Sequence, residues 1–160
     1  MKNIIRALRL PFLTVSVLPF IFGSLISRLN FNFFIFLLGL FCVMFTHLGA
    51  NLINDYSDSR SGADWQDKKF YGFFGGSKLI QENILSERFY LFFSVFCFAV
   101  SLCLAAALAV ALENLSVIWF YLIILFLGVS YSHKPLQLAY HRLGELVIFT
   151  LFGPALVMGG

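Results

Sequence analysis

The sequence predicts an all-α fold, a polytopic bundle of about five transmembrane helices. Of its 160 residues, 60% are hydrophobic and 12% are charged, and the mean hydropathy is +0.89. A soluble domain carries roughly 25% charged residues, so this composition indicates a membrane protein. The apolar runs are long and continuous rather than short and alternating in polarity, which excludes a transmembrane barrel. The net charge of +3 is too small to indicate nucleic-acid binding.

Charge-free runs of about 20 residues are long enough to cross a bilayer as helices, and they set the predicted spans. The predicted spans are 11–27, 31–53, 89–112 and 115–131, with a fifth that begins near residue 146 and runs to 160. One long polar segment, 55–88, separates the second span from the third, and the other connections are short turns.

The basic residues are divided unequally between the two sides of these spans. Of the 11 Lys and Arg residues, all but Arg28 precede the first span or lie in the second or fourth connection. By the positive-inside rule, the N-terminus and the 55–88 loop are cytoplasmic. We therefore expect a multi-pass protein of the cell's inner (cytoplasmic) membrane, with this loop as its working face.

A stripe of polar side chains marks the end of the second span. Five residues share one helical face there: His47, Asn51, Asn54, Asp55 and Asp58. Polar groups at a bilayer edge generally face a cavity and mark a functional site. Beyond them, Gly62 permits a turn that returns Asp64 to the other two carboxylates. Three close carboxylates repel one another unless a cation lies between them, and hard oxygen ligands favour Mg²⁺ or Mn²⁺. The alternative interpretation is a solvated acidic helix end without a metal.

Two further groups of residues are candidates for phosphate contacts. The segment from Gly75 to Lys78 offers backbone N–H groups and an ammonium, although it lacks the P-loop pattern, and a plain flexible turn is the alternative. Tyr131, Lys134 and Arg142 lie at the same cytoplasmic level, where basic residues are also an ordinary feature of any loop.

These motifs resemble those of the UbiA superfamily of intramembrane prenyltransferases. The family signature N-D-x-x-D, followed by a further Asp, is matched by Asn54-Asp55-x-x-Asp58 and Asp64. Within the superfamily, the chain is most similar to the 1,4-dihydroxy-2-naphthoate polyprenyltransferases of menaquinone synthesis. The segments that carry this similarity are Arg9-Leu-Pro11, Ala50-Asn51-Leu-Ile-Asn54-Asp55-Tyr56, Gly62-Ala-Asp64, Gly75-Gly76-Ser77, Leu143-Gly144-Glu145 and Phe152-Gly153-Pro154.

Two features depart from the family pattern. Lys78 stands where a glycine is expected after Gly-Gly-Ser, and the family's second aspartate motif, D-x-x-x-D, is missing. The family fold has about nine spans, so residues 1–160 resemble the N-terminal part of a single intramembrane prenyltransferase domain. We expect this chain alone to be inactive and to need the C-terminal half, covalently or as a separate chain.

The resemblance implies Mg²⁺-dependent transfer of a polyprenyl group from a polyprenyl diphosphate to an aromatic acceptor, within the lipid bilayer. It assigns catalysis to Asn54, Asp55, Asp58 and Asp64, with the three aspartates as metal ligands. It assigns substrate binding to Arg9, His47, Asn51, Lys78, Tyr131, Lys134 and Arg142, the basic residues contacting the diphosphate and His47 lining the acceptor pocket.

Other functions remain open from the sequence. The acceptor is 1,4-dihydroxy-2-naphthoate if the subfamily resemblance holds, or 4-hydroxybenzoate or another quinone or lipid precursor if only the superfamily holds. Two other classes of protein remain: a transport module that uses the acidic stripe as a cation site, and a non-catalytic, truncated membrane protein.

Overall fold

A computed structural model describes residues 2–26, 31–66, 69–72 and 75–160. Within these ranges the chain is helical with short connections and contains no β-strand, which confirms the all-α prediction. The predicted end of the first span at Ser27 and the basic residues Arg28 and Lys68 lie outside the described residues.

The N-terminal segment is a bent pair of helices. Helix α1 covers Lys2–Leu8, a 3-10 turn covers Leu10–Phe12, and α2 covers Leu13–Ile26. Arg9 breaks the helix between them with a left-handed backbone, φ 51°, and the two parts meet at 41°. This break points the Arg9 side chain toward α3 instead of along the N-terminal helix, as its contacts below show.

Helix α3 covers Phe33–Ser61 and forms the central element of the fold. Asn32 begins it by accepting hydrogen bonds from the backbone N–H groups of Phe34 and Ile35, and Gly62 ends it with φ 89°. The sequence placed the end of the second span at Ile53 and the start of a loop at residue 55. The helix continues past Ile53 for about two more turns, as the helical face of the polar stripe implies, and the end of the membrane span stays a prediction.

The length of α3 carries its polar end out of the hydrocarbon. Its 29 residues rise by about 43 Å, whereas the hydrocarbon core is about 30 Å thick. The residues after Ile53 therefore extend α3 into the interfacial region, on the side predicted to be cytoplasmic.

Helix α4 covers Glu87–Ala111 and packs against α3 in the most extensive helix pair of the bundle. Its buried face consists mostly of small residues: Tyr90, Ser94, Cys97, Ser101, Ala105 and Ala109. Small side chains let two membrane helices approach closely, and this replaces the hydrophobic driving force that is weak inside a bilayer. The large aromatic residues of α4, such as Phe92 and Phe96, are exposed and suit contact with lipid.

The last apolar segments are shorter. Helix α5 covers Ser116–Ser130, and the C-terminal segment consists of α6, Gly144–Thr150, a π-helical turn at Leu151–Ala155 and α7, Leu156–Gly159. By length and composition, α3 and α4 can each cross a membrane, and the bent pair α1–α2 makes up to three such spans among the described residues. Apolar helices thus occupy all five predicted places, but five full spans stay a prediction.

The core at the polar end joins four parts of the chain. Ala7 of α1, Leu52 and Tyr56 of α3, and Tyr90 of α4 are buried together with Leu79 of the 75–85 connection. Arg6 adds two hydrogen bonds to Glu82, at 2.6 and 2.9 Å. The connection is therefore packed onto the helices at the level of the polar stripe.

Candidate functional site

Asp55 lies at the centre of a polar cluster near the end of α3. Only 2% of its surface is exposed. One carboxylate oxygen, Oδ2, accepts a hydrogen bond from the backbone N–H of Ser77 at 2.9 Å, and the Ser77 hydroxyl lies 2.5 Å from the phenol of Tyr90. The other oxygen, Oδ1, has no hydrogen-bond partner among the described residues. Asp55 therefore anchors the connection and still offers one free, buried acceptor.

Arg9 supplies positive charge to this cluster. Its Nη1 lies 3.5 Å from Asp55 Oδ1 and 3.4 Å from the side-chain oxygen of Asn54, and its guanidinium also stacks over the Phe12 ring at 4.6 Å. At 3.5 Å, Arg9 and Asp55 form an ion pair, but the distance is too long for a good hydrogen bond to Oδ1. The sequence assignment of Arg9 to an anionic ligand is consistent with this half-satisfied position.

Asp64 returns to Asp55 through the turn at Gly62. The turn is held by a short 3-10 helix, Ala63–Trp65, and by the Trp65 indole, which donates to the backbone oxygen of Ser59 at 3.0 Å. Asp64 is buried, and its Oδ1 accepts a hydrogen bond from Lys78 Nζ at 2.6 Å. The two carboxylates meet across the backbone of the glycine-rich segment.

Gly76 sets the spacing of the two carboxylates. A Cβ at this position would lie 2.6 Å from Asp64 Oδ2 and 3.1 Å from Asp55 Oδ1. These two oxygens are therefore at most 5.7 Å apart, the sum of those two distances. A glycine is needed here because any side chain would displace the carboxylates, whereas the sequence suggested a phosphate contact or a flexible turn.

Asp58 does not join this pair. Tyr140 donates its phenol hydrogen to Asp58 Oδ1 at 2.5 Å, and the Ser61 hydroxyl lies 3.2 Å from the same phenol. Burial, and then the bond to Asp58, raises the pKa of Tyr140 to about 12, so the phenol stays protonated and remains a donor. Tyr140 was missed from the sequence, because a loop phenol has no periodic pattern that would relate it to α3.

The fit to Mg²⁺ is therefore partial. Across the described residues, no group of three Asp, Glu, His or Cys side chains is arranged to hold a metal ion. Asp55 and Asp64 present hard oxygen donors at most 5.7 Å apart, and Asp55 Oδ1, which accepts no hydrogen bond from the described residues and lies 3.5 Å from Arg9, suits a divalent cation. A site formed by Asp55, Asp58 and Asp64 together stays a prediction, and in it Asp58 would use the oxygen that does not accept from Tyr140.

An apolar cavity of about 170 Å³ lies just below the cluster, inside the bundle. His47 and Asn51 line it, each with one buried nitrogen, Nε2 and Nδ2, that lacks a partner among the described residues. The other ring nitrogen of His47, Nδ1, lies 2.5 Å from the Ser16 hydroxyl, and the ring of Phe152 meets the imidazole edge-on at 5.6 Å. The remaining walls are apolar or small: among others Phe20, Val43, Ala105, Leu108, Phe120 and Ile124.

The other predicted substrate contacts lie in the connection after α5. His133 ties this connection to α3, because its Nδ1 lies 2.9 Å from the Ser57 hydroxyl. Tyr131 is half-buried, and its backbone oxygen accepts from Ala139. Lys134 and Arg142 are exposed, and no hydrogen bond or ion pair within the described ranges joins them to the carboxylates. The structure thus brings Arg9, Asn54, Asp55, Asp64 and Lys78 together, and it leaves Lys134 and Arg142 outside.

Comparison with known proteins identifies the family of this chain. The UbiA prenyltransferase family model matches residues 16–160. The chain is 29% identical over 161 residues to UbiA prenyltransferase domain-containing protein 1 of Dictyostelium discoideum, a match that covers 98% of this chain and 48% of that protein. The chain therefore spans about half the length of the curated relative it matches. No solved structure matches the chain significantly. Since the family match covers most of its length, this chain belongs to the UbiA prenyltransferase family.

Proposed function

We propose that this chain is part of an enzyme that transfers a polyprenyl group from a polyprenyl diphosphate to an aromatic acceptor, 1,4-dihydroxy-2-naphthoate, in menaquinone biosynthesis. Family membership supports prenyl transfer in general. The observation that carries the proposal is that the buried charged cluster lies one helical turn from residues that line an apolar cavity. Asn51, which lines the cavity, and Asp55, at the centre of the cluster, are one helical turn apart on α3, or about 6 Å.

The charged cluster suits the diphosphate end of such a substrate. Transfer requires the bond between the allylic C1 and the diphosphate oxygen to break, with its electron pair staying on the diphosphate. Arg9 is placed to neutralise that growing negative charge, because its guanidinium is partly buried and makes only long polar contacts with the described residues, at 3.4 and 3.5 Å. Asp55 and Asp64 would hold Mg²⁺, which when bound supplies further positive charge to the leaving diphosphate.

The cavity suits the hydrocarbon chain and the ring. Its apolar walls exclude water, which would otherwise capture the cation that develops at C1. The unpartnered nitrogens of His47 and Asn51 are available to hydroxyl or carboxyl groups of the acceptor. The bond from Ser16 fixes the orientation of the His47 ring, so its free Nε2 is held in one position.

Three accompanying proposals complete this function. The N-terminus and the 55–88 segment lie on the cytoplasmic side of the inner membrane, as the distribution of basic residues indicates. The partners are the lipid bilayer, the prenyl diphosphate, the acceptor and the further half of the family fold, present in the same chain or supplied by another. Nucleic acid is not among them.

The test is prenyl transfer by the protein with the rest of its reading frame, reconstituted in nanodiscs with a labelled prenyl diphosphate and Mg²⁺. We expect product with 1,4-dihydroxy-2-naphthoate and little with 4-hydroxybenzoate. Asp55→Asn is expected to remove activity, whereas Glu113→Gln, which changes an exposed carboxylate beyond the end of α4, is not. Equal turnover with both acceptors would contradict the acceptor, and full activity in Asp55→Asn would contradict the site. Residues 1–160 alone are expected to be inactive, and turnover by them would contradict the need for a second half.

A further inference from the structure

Lys78 is an unusual residue to find buried at this position. Its side chain is 7% exposed, and the Asp64 side chain that it contacts is 10% exposed. An ammonium buried without a partner is strongly unfavourable, so the 2.6 Å contact between Lys78 Nζ and Asp64 Oδ1 is what makes this burial tolerable. Lys78 also has a left-handed backbone, φ 60°, which is unfavourable for any residue with a Cβ. The chain therefore keeps a lysine where glycine would be easier to accommodate.

Asp55, the neighbouring carboxylate, keeps one oxygen to which no described residue donates a hydrogen bond, although Lys78 lies close by on Asp64. Asp55 Oδ1 lies within 5.7 Å of Asp64 Oδ2 by the spacing at Gly76, yet it has no hydrogen-bond partner among the described residues. Arg9 is the nearest positive charge to Asp55, at 3.5 Å. Two buried carboxylates are thus accompanied by two cationic side chains, one bound closely to Asp64 and the other loosely to Asp55.

We infer that Lys78 is the built-in cation of this carboxylate pair and occupies the position on Asp64 that a divalent metal ion would otherwise take. The inference rests on the proposed function for the identification of the cluster as a cation and diphosphate site. The ammonium neutralises Asp64 and repels a second cation brought within a few ångströms. Without a diphosphate, the protein therefore binds a divalent cation weakly, because Lys78 occupies Oδ1 of Asp64.

The test is a titration of the full chain in nanodiscs with Mn²⁺ alone, in which electron paramagnetic resonance measures the bound and free Mn²⁺. Lys78→Gly removes the ammonium and suits the left-handed backbone, so it is expected to fold. We expect it to bind Mn²⁺ at least about tenfold more tightly than the unmodified chain, since a buried like charge has been removed. Lys2→Met removes the same charge from an exposed position on α1 and is expected to leave the affinity unchanged. Equal Mn²⁺ affinity in Lys78→Gly and the unmodified chain would overturn the inference.

A double variant and a thermal-unfolding measurement test whether Mn²⁺ binds at Asp64. Adding Asp64→Asn to Lys78→Gly removes the ligand that the lysine had occupied, and the Mn²⁺ affinity is expected to return to about that of the unmodified chain. Lys78→Met is expected to melt at a lower temperature than the unmodified chain and to regain stability when Mn²⁺ is added. Tight Mn²⁺ binding that persists in the double variant, or a Lys78→Met protein that Mn²⁺ does not stabilise, would contradict a role at Asp64. Neither measurement uses a prenyl substrate, so failure of the proposed transfer reaction would leave these results unaffected.

Discussion

Gly76→Ala is the substitution for which the structure gives the sharpest stability prediction. The backbone at Gly76 has no positive φ, so alanine introduces a steric effect without a conformational one. Its methyl group would lie 2.6 Å from Asp64 Oδ2, and that oxygen must move by about 0.8 Å to reach the 3.4 Å of an ordinary contact. The other oxygen of this carboxylate, Oδ1, accepts from Lys78 Nζ at 2.6 Å, so displacement of the carboxylate is expected to disturb this charged hydrogen bond as well.

The expected cost follows from these movements. Overpacking a close site typically costs about 2 kcal/mol, and opening a buried ion pair raises this toward about 5 kcal/mol. For a chain of this length, about 2 kcal/mol corresponds to a melting temperature lowered by about 4–8 °C. The assay is thermal unfolding of the purified chain in detergent, with Gly153→Ala as a control, because a Cβ there meets nothing within 4 Å. A Gly76→Ala protein that melts within about 1 °C of the Gly153→Ala protein would refute the assigned packing.

Three further predictions concern the surroundings of the site. The pKa of Tyr140 is raised from 10 to about 12, so the contribution of its phenol to stability is complete below pH 10 and is lost as the pH rises through about 12. Absorbance titration should show tyrosinate forming near pH 12, and Tyr140→Phe should remove that component; an unchanged titration would contradict the contact with Asp58. Ser16→Ala leaves the buried His47 ring without its bond and should cost about 1–3 kcal/mol in thermal unfolding, whereas loss of the exposed Thr14 hydroxyl should cost less. In a cysteine-free background, cysteines introduced at 69 and 134 should react with membrane-impermeant thiol reagents only from the cytoplasmic side. A cysteine introduced at 28 should react only from the outside, and the reverse pattern would contradict the proposed orientation.

Hydropathy predicted the helices well and their ends poorly. The apolar runs located all five helical segments, since burial in lipid depends on composition that is visible residue by residue. Hydropathy alone ends the second span at Ile53, before the first charged residues, although Asp55 and Asp58 continue the helix to Ser61. The helical periodicity of the polar stripe was the better guide to the length of α3. The turn expected at Gly62 brings Asp64 near Asp55, whereas Asp58 is bonded to Tyr140.

The hydrogen-bond and ion-pair partners of the site residues could not be predicted from the sequence. Membrane depth placed Lys134 and Arg142 at the level of the carboxylates, but depth carries no information on lateral position, and both are exposed. The contacts of Asp64 with Lys78 and of Asp58 with Tyr140 join residues 14 and 82 positions apart, through connections that have no periodic pattern. Such pairs are decided by how the loops pack on α3.

In the proposed reaction, Arg9 contacts the diphosphate directly and Asp55 contacts it through Mg²⁺, while the hydrocarbon of the substrate lies in the cavity. The most direct measurement compares the binding of pyrophosphate and of a non-hydrolysable geranyl diphosphate analogue, with Mg²⁺, to nanodisc-embedded protein. Arg9→Gln should weaken both ligands by about 10- to 100-fold, since it removes one charged hydrogen bond. Gly128→Leu extends a side chain into the cavity, where the nearest atom to its Cβ lies 4.0 Å away, and it should weaken only the geranyl ligand. Unchanged binding of both ligands in Arg9→Gln, or equal loss of both in Gly128→Leu, would contradict the account.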